Sequence, residues 1–264
     1  MMSFNRAIIT GKNGTVGQAL TVYLQTQGFE VIGWDRNQIL IDDYHAMYAL
    51  VEDTKPDVLF HLATASQPTG RENESWLVNY EWTSELAWIT RQLNIKFVFT
   101  SSVMVFTDDA AGPFTVKSQP DATEGYGYEK HQAEKRTLYQ NPDAIVARIG
   151  WQIGTTNIGN HMLTHLYRQM EEHGEIRAST KWYPACSFLE DTASTLLKLT
   201  TFDGGIYLVN SNKQWTYHEI VEAIKELDSA DWQIVADDTF VYDQRMLDER
   251  VPIAPLEKRL LTLI

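Results

Sequence analysis

Cysteine occurs once in the 264 residues, as Cys186. That excludes an intrachain disulfide and any cysteine-rich metal site, and no metal centre of another kind is expected. Positive charge is also scarce: 22 Lys and Arg stand against 35 Asp and Glu, a net charge of −13. No basic cluster of five residues occurs, so neither nucleic acid nor an anionic membrane is an expected partner. Nowhere do 18 apolar residues run together, and the opening MMSFNR has neither the charged start nor the apolar core of a secretory signal. The expectation is a soluble, cytoplasmic protein. Any anionic ligand must be held by a few local cations or helix N-termini against the overall field.

Short apolar runs alternate with longer segments of helical period. The runs are 7–10, 30–34, 57–62, 95–101, 144–149 and 206–209, and the helical segments are 16–27, 44–53, 76–93 and 123–139. Runs such as VLFHLA and FVFTSS are apolar on both sides, the mark of parallel strands covered by helices on both faces. This order predicts an α/β fold with a doubly wound parallel sheet (a Rossmann fold) and its ligand outside the carboxyl ends of the strands. From about residue 151 the pattern loosens: 159–173 reads as a helix, 180–186 as a loop and 231–264 as irregular. The division expected is a dinucleotide-binding part, 1–150 with about 187–227, and a small C-terminal substrate-binding lobe, about 151–186 and 228–264.

The first strand runs into TGKNGTVG, with Gly11, Gly14 and Gly17 at G-x-x-G-x-x-G spacing. A triphosphate loop needs G-x-x-x-x-G-K-S/T; here Gly11-Lys12 is followed by Asn13, so that reading fails. A dinucleotide turn fits. Gly11 permits the tight turn, Gly14 the approach of the pyrophosphate and Gly17 close helix–strand packing, and the helix opening at Thr15-Val16 offers free N–H groups. The next strand ends in Asp35, where a carboxylate accepts from the adenine ribose hydroxyls. Arg36 follows and, with Lys12, is placed to meet a 2′-phosphate instead. NAD and NADP both stay open.

Tyr126 and Lys130 are four apart in GYGYEKHQAEK, on one face of a helix. An ammonium beside a phenol favours phenolate and makes it an acid–base near neutrality. Ser101 and Ser102 end the strand-like run FVFTSS, at the sheet edge where a hydroxyl meets a substrate carbonyl.

Together the glycine turn, the strand-end acid, the serine and Tyr-x-x-x-Lys resemble the extended short-chain dehydrogenase/reductases, in particular the dTDP-4-dehydrorhamnose reductase-like members. GKNGTVGQAL, KPDVLFHLATAS, WLVNYEWTSELA around Asn79, FTSSVMVF, GYGYEKHQAEK, ARIGWQIG, GNHMLTHL and GIYLVNSNKQWTYHEIVEAI carry the likeness. The resemblance implies an NAD(P)H-dependent oxidoreductase acting on a nucleotide-linked 4-keto sugar. Tyr126 is then the acid, Lys130 lowers its pKa and binds the nicotinamide ribose, and Ser102 positions the carbonyl. Asp42 lies near the adenine, Leu62, Ala63 and Thr64 line the cofactor groove, and Trp151 stands in the substrate pocket. Ser66 and Met104 fall on the substrate side, and Lys181, Arg71 and Arg245 are candidates for a diphosphate. The chain departs from the pattern at 66–71 and in its shorter C-terminal part.

Val103-Met104 after Ser102 excludes the Asp-Glu pair of the 4,6-dehydratases, and Met104 stands where the fucose-forming epimerase-reductases need cysteine. A sugar-nucleotide 4-epimerase needs little beyond Ser102, Tyr126 and Lys130, and stays open. So does a non-catalytic cofactor-binding regulatory subunit. His161 and His165, four apart, lack the Glu of a zinc-protease helix. Trp76, Trp82 and Trp88 recur every six residues, which suits core packing; a homodimer interface would use the same aromatics.

Overall fold

The computed structural model describes residues 6–66 and 69–260. Strands β1 (Arg6–Thr10), β2 (Glu30–Gly33), β3 (Val58–His61), β4 (Lys96–Ser102) and β5 (Ile145–Ile149) coincide with the first five apolar runs. Between them lie α1 (Thr15–Thr26), α2 (Tyr44–Thr54), a long helix in three parts, and α5 (Gly125–Gln140). The three parts are α3 (Glu74–Trp76), a π turn (Leu77–Glu81) and α4 (Trp82–Gln92). The expected helix over 76–93 is there, but the π turn within it has no signature in the apolar period.

After β5 the elements shorten: β6 (Trp151–Ile153), α6 (Met162–His173), β7 (Ile176–Ser179), β8 (Trp182–Tyr183) and β9 (Cys186–Phe188). Then come α7 (Leu189–Leu199), β10 (Gly205–Val209), α8 (Tyr217–Leu227), β11 (Ile234–Asp237), β12 (Tyr242–Asp243) and α9 (Glu257–Leu260). The expected loop over 180–186 therefore holds β8 and the start of β9, and the stretch expected to be irregular holds β11 and β12. Both pair in parallel with distant partners, β11 with β7 and β12 with β8. Strands of two to four residues are too short to show a period.

The main sheet is six-stranded and wholly parallel, in the order β10-β5-β4-β3-β1-β2. Its direction of winding reverses between β1 and β3, which opens a crevice at their carboxyl ends. One face buries Leu59, Phe97, Phe99 and Val146 against Trp82 and Leu86 of α4 and Ala133 of α5. The other buries Ile9, Phe60, Val98 and Ala147 against Leu20 and Leu24 of α1 and Leu196 of α7. A third cluster joins Ile153, Leu163, Leu166, Phe188 and Trp232 with Tyr217, Ile220 and Ile224 of α8. Among the described residues no helix is long and apolar enough to cross a membrane.

Candidate active site

Three glycines make the turn after β1 through backbone contact. Gly11 has φ +69°, and a Cβ there would stand 2.8–3.0 Å from the backbone of Leu62 and Ala63. That close approach seats the end of β3 against the loop. A Cβ on Gly17 would overlap the Gly11 carbonyl oxygen, so α1 packs directly on the turn. Gly14 caps α1 with no side-chain hydrogen bond. The first N–H groups of the helix, from Thr15 and Val16, thus open toward the loop mouth with the positive end of its dipole. Asn13 is held at the rim, its carbonyl accepting from the Gln18 side chain at 2.7 Å. The turn fits a dinucleotide pyrophosphate: no side chain caps the first N–H groups of α1, and its glycines present backbone.

A buried hydrogen-bond chain ties this turn to the rest of the site. Thr10 Oγ1 accepts from the N–H groups of Leu62 and Ala63, which leaves its own proton for His61 Nδ1 at 2.8 Å. His61 Nε2 then donates to Thr83 Oγ1 at 2.9 Å, and Thr83 donates to the Asn79 carbonyl in the π turn. Burial, aided by the Lys130 charge, holds the pKa of His61 well below its usual value, so the ring is neutral, as this chain of donors requires. Asn79 Nδ2 in turn donates to Glu129 at 2.8 Å, next to Lys130. These links join β1, β3, the π turn and α5; the sequence reading assigned no role to His61, Thr83 or Glu129. A histidine closing the apolar run VLFH was the available signal.

Ser102, Tyr126 and Lys130 meet at the carboxyl edge of β4. The approach depends on Gly127: a Cβ there would overlap the carbonyl oxygen of Met104, so only glycine lets the start of α5 lie against the turn after Ser102. Ser102 Oγ accepts from the Met104 N–H at 3.1 Å, and its hydroxyl lies close enough to the phenol of Tyr126 to favour the phenolate. Met104 itself is 54 % exposed at the mouth. Lys130 is fully buried, with Nζ donating to the Thr100 carbonyl at 3.1 Å and standing 5.7 Å from the centre of the Tyr126 ring.

Burial governs both titratable groups. It pushes the Tyr126 phenol up to about 12, against the Ser102 hydrogen bond and with the charge of Glu129. It pulls Lys130 down to about 7, against Glu134 and Glu129. The expectation was that Lys130 would lower the phenol; here the hydroxyl of Ser102 is the group that opposes the rise. The reason is desolvation, which costs an enclosed ammonium its charge near neutrality.

Lys130 is followed one turn later by Glu134, paired in the interior with Arg148 of β5. Arg148 Nε and Nη2 reach its two oxygens at 2.8 and 2.7 Å, and both side chains are no more than 2 % exposed. This pair, too, the sequence reading passed over.

The other expected residues divide. Thr64 follows Ala63 along the crevice, and Trp151 begins β6 two residues after Ile149, the register partner of Ser102. Trp151 lines a cavity of about 260 Å³ with His165, Arg177, Trp182, Tyr217 and Phe240. Its ring stacks on those of Trp182 and Tyr217 at 6.1 and 6.0 Å. Asp42 is held by the Arg71 guanidinium, which keeps its carboxyl below the usual range. Ser66 is exposed beside residues 67–68, which lie outside the described ones. Lys181 pairs with Asp238 at the surface, 3.1 Å away, and Arg245 with Asp243, so neither cation points unpaired into the cavity. His161 caps α6 and donates to the Ile158 carbonyl, while His165 stands against Trp151. A larger hollow of about 500 Å³ lies at the amino edge of the sheet, around Lys55, Asn94 and Lys96. It is at the opposite end from Ser102.

The parallel sheet, with its glycine turn after the first strand, is that of an extended short-chain dehydrogenase/reductase. The family described as "RmlD substrate binding domain" matches residues 5–241, and the chain belongs to that family. A methionine adenosyltransferase 2 subunit beta from Xenopus tropicalis is 25 % identical over 96 % of this chain and 82 % of its own length. A dTDP-4-dehydrorhamnose reductase from Aggregatibacter actinomycetemcomitans is 23 % identical over 74 % of this chain and 67 % of its own. The crystal structure of dTDP-4-dehydrorhamnose reductase from Bacillus anthracis in complex with NADP superposes with a TM-score of 0.83, at 18 % identity, covering 98 % of this chain and 97 % of that one.

Proposed function

We propose that the protein is an NAD(P)H-dependent reductase of a nucleotide-linked 4-keto sugar. The observation that carries this is the meeting of Ser102 and Tyr126 at the sheet edge, close enough for the hydroxyl to act on the phenol, with Lys130 one helical turn away and the uncapped glycine turn across the same crevice. The relatives named as dTDP-4-dehydrorhamnose reductases support the substrate class.

A bound reduced nicotinamide supplies the hydride. Ser102 holds the carbonyl oxygen, and Tyr126 gives its phenolic proton to that oxygen as the C–O double bond becomes an alcohol. A phenol held near 12 keeps its proton until an alkoxide develops, which suits it to the acid role. Lys130 would hydrogen-bond the nicotinamide ribose, and its protonated form, which predominates below about pH 7, stabilises the resulting phenolate. The aromatic cavity behind Trp151 receives the sugar-nucleotide.

The test is Tyr126→Phe. Turnover of NAD(P)H with a nucleotide-linked 4-keto sugar is expected to fall by at least about 10²-fold, with cofactor affinity within a few-fold. Full activity in that variant overturns the mechanism.

A second reading is a regulatory subunit that binds cofactor without turning it over. It is favoured by the relatives named methionine adenosyltransferase 2 subunit beta, which align along nearly the whole chain. Cofactor binding without oxidation of NAD(P)H by any keto sugar would select it.

A further inference from the structure

One carboxylate on the first turn of α5 stands beside both side chains that would handle the proton. We infer that Glu129 is a positioning residue for the proton transfer: pinned to the long helix by Ser75 and Asn79, it sets one fixed negative charge against both Tyr126 and Lys130. This rests on the reductase reading of those two side chains.

Three observations carry it. The first is how the carboxylate is held. Its Oε2 accepts from Ser75 Oγ at 2.7 Å and from Asn79 Nδ2 at 2.8 Å. Asn79 Nδ2 also donates to Ser75 Oγ at 3.3 Å, which closes a ring of three side chains between α3, the π turn and α5. The neighbouring rings of Trp76 and Tyr128 stack at 6.4 Å and 26° across the same junction. To swing away from Lys130, Glu129 must give up both donors.

The second is the orientation of the Asn79 amide. Asn79 is 1 % exposed, and its Oδ1 is buried with no hydrogen-bond partner among the described residues. A carboxylate only accepts, so the amide nitrogen faces Glu129; turned over, the amide would set oxygen against oxygen. The π turn thus presents a buried donor to Glu129 even though the other end of the amide is left without a partner.

The third is the set of charges around the pair. Lys130 is faced by Tyr126 and Glu134 of its own helix, by neutral His61 of β3, and by the Thr100 carbonyl and Phe99 ring of β4. Glu134 is engaged by Arg148 of β5, whereas Glu129 has no cation paired to it among the described residues. The Glu129 charge favours the ammonium of Lys130 and opposes the phenolate of Tyr126. Both side chains are biased toward giving a proton to a carbonyl, the direction of reduction, and away from taking one from an alcohol.

The experiment uses Glu129→Gln, which keeps an oxygen for Ser75 and Asn79 and removes the charge, and Glu129→Ala, which removes both. The first readout is a carbon NMR titration of the whole protein labelled with 13C-lysine, the Lys130 signal being assigned by its loss in Lys130→Met. A native midpoint near 7 is expected, and a fall of about half a pH unit to one unit in both variants. The second readout is the pH dependence of kcat/KM for NAD(P)H oxidation with a nucleotide-linked 4-keto sugar. Its alkaline limb should move to lower pH by the same amount. A Lys130 midpoint and a limb that stay at their native values, with stability lost only in Glu129→Ala, make Glu129 a structural clamp and overturn the inference. If the midpoint falls while the limb stays, the charge reaches Lys130 without bearing on the proton transfer, which also overturns it. If the native protein turns over no keto sugar, the reductase reading fails and takes the role in proton transfer with it.

Discussion

Lys130 is enclosed by the Thr100 carbonyl, the rings of Phe99 and Tyr126, and the acids Glu129 and Glu134 on its own helix. His61 from β3 is near enough to feel its charge. The native side chain gives up its proton near 7, whereas in the unfolded chain it keeps it until about 10.5. Between those values the unfolded state binds more protons, so stability rises with pH. Tyr126 contributes a fall only above pH 10, where the unfolded phenol ionises and the native one does not. Denaturant titrations at pH 7, 8 and 9 should therefore show the native protein gaining stability relative to Lys130→Met at each step. A difference that stays flat over that window overturns the depressed lysine pKa.

α5 carries its functional groups in one line: Tyr126, Lys130 and Glu134, each four residues on, facing β4 and β5. The Glu134–Arg148 pair fastens the far end of that line to β5, and the Asn79–Glu129 bond fastens its middle to the π turn. Removing one member of a buried pair strands the other charge. Arg148→Leu should cost about 3–5 kcal/mol in urea unfolding, and the double change Arg148→Met with Glu134→Leu should recover most of it. If the single change proves as mild as the double, the pair does not anchor the helix. The two ends of α5 are set by different means. Its start needs the small surface of Gly127 against Met104, and its end is capped by the Asn141 N–H on the Thr137 carbonyl.

The sheet and the C-terminal elements are joined across the glycine turn as well as along the chain. The Asn160 N–H donates to Thr15 Oγ1 at 3.0 Å, so the segment leading into α6 lies over the start of α1. A ligand that binds at that turn is therefore expected to stabilise both parts. At a hundred times its dissociation constant, NADPH should add about 2.7 kcal/mol to the folded state. Scanning calorimetry should show one transition moving up by several degrees, about 2–4 °C per kcal/mol for a chain of this size. Two transitions, of which only one moves, would show the parts melting separately.

Local pattern and local spacing determined a great deal. Two-sided apolar runs marked β1, β3, β4 and β5, because strands buried on both faces have no polar face to show; the edge strands β2 and β10 are apolar but only partly buried. The glycine spacing marked the turn, because Gly11 takes a positive φ there and Gly17 packs directly on the Gly11 carbonyl, whereas the approach of Gly11 to Leu62 and Ala63 came only with the fold. Ser102, Tyr126 and Lys130 were legible for the same reason: a strand end and one helical turn set them. What the tertiary structure alone decided are the properties that depend on enclosure and on partners far along the chain. The two-residue pairing of β8 with β12, the Thr10–His61–Thr83 chain and the Glu134–Arg148 pair each join residues from separate elements. Only the fold could show that Asp35 closes its own turn while Lys12 reaches the end of β2, or that Ser75 and Asn79 converge on Glu129. Desolvation likewise exists only once the core has closed, so Lys130 reads as an ordinary cation in sequence and becomes one that titrates near 7 in the folded protein.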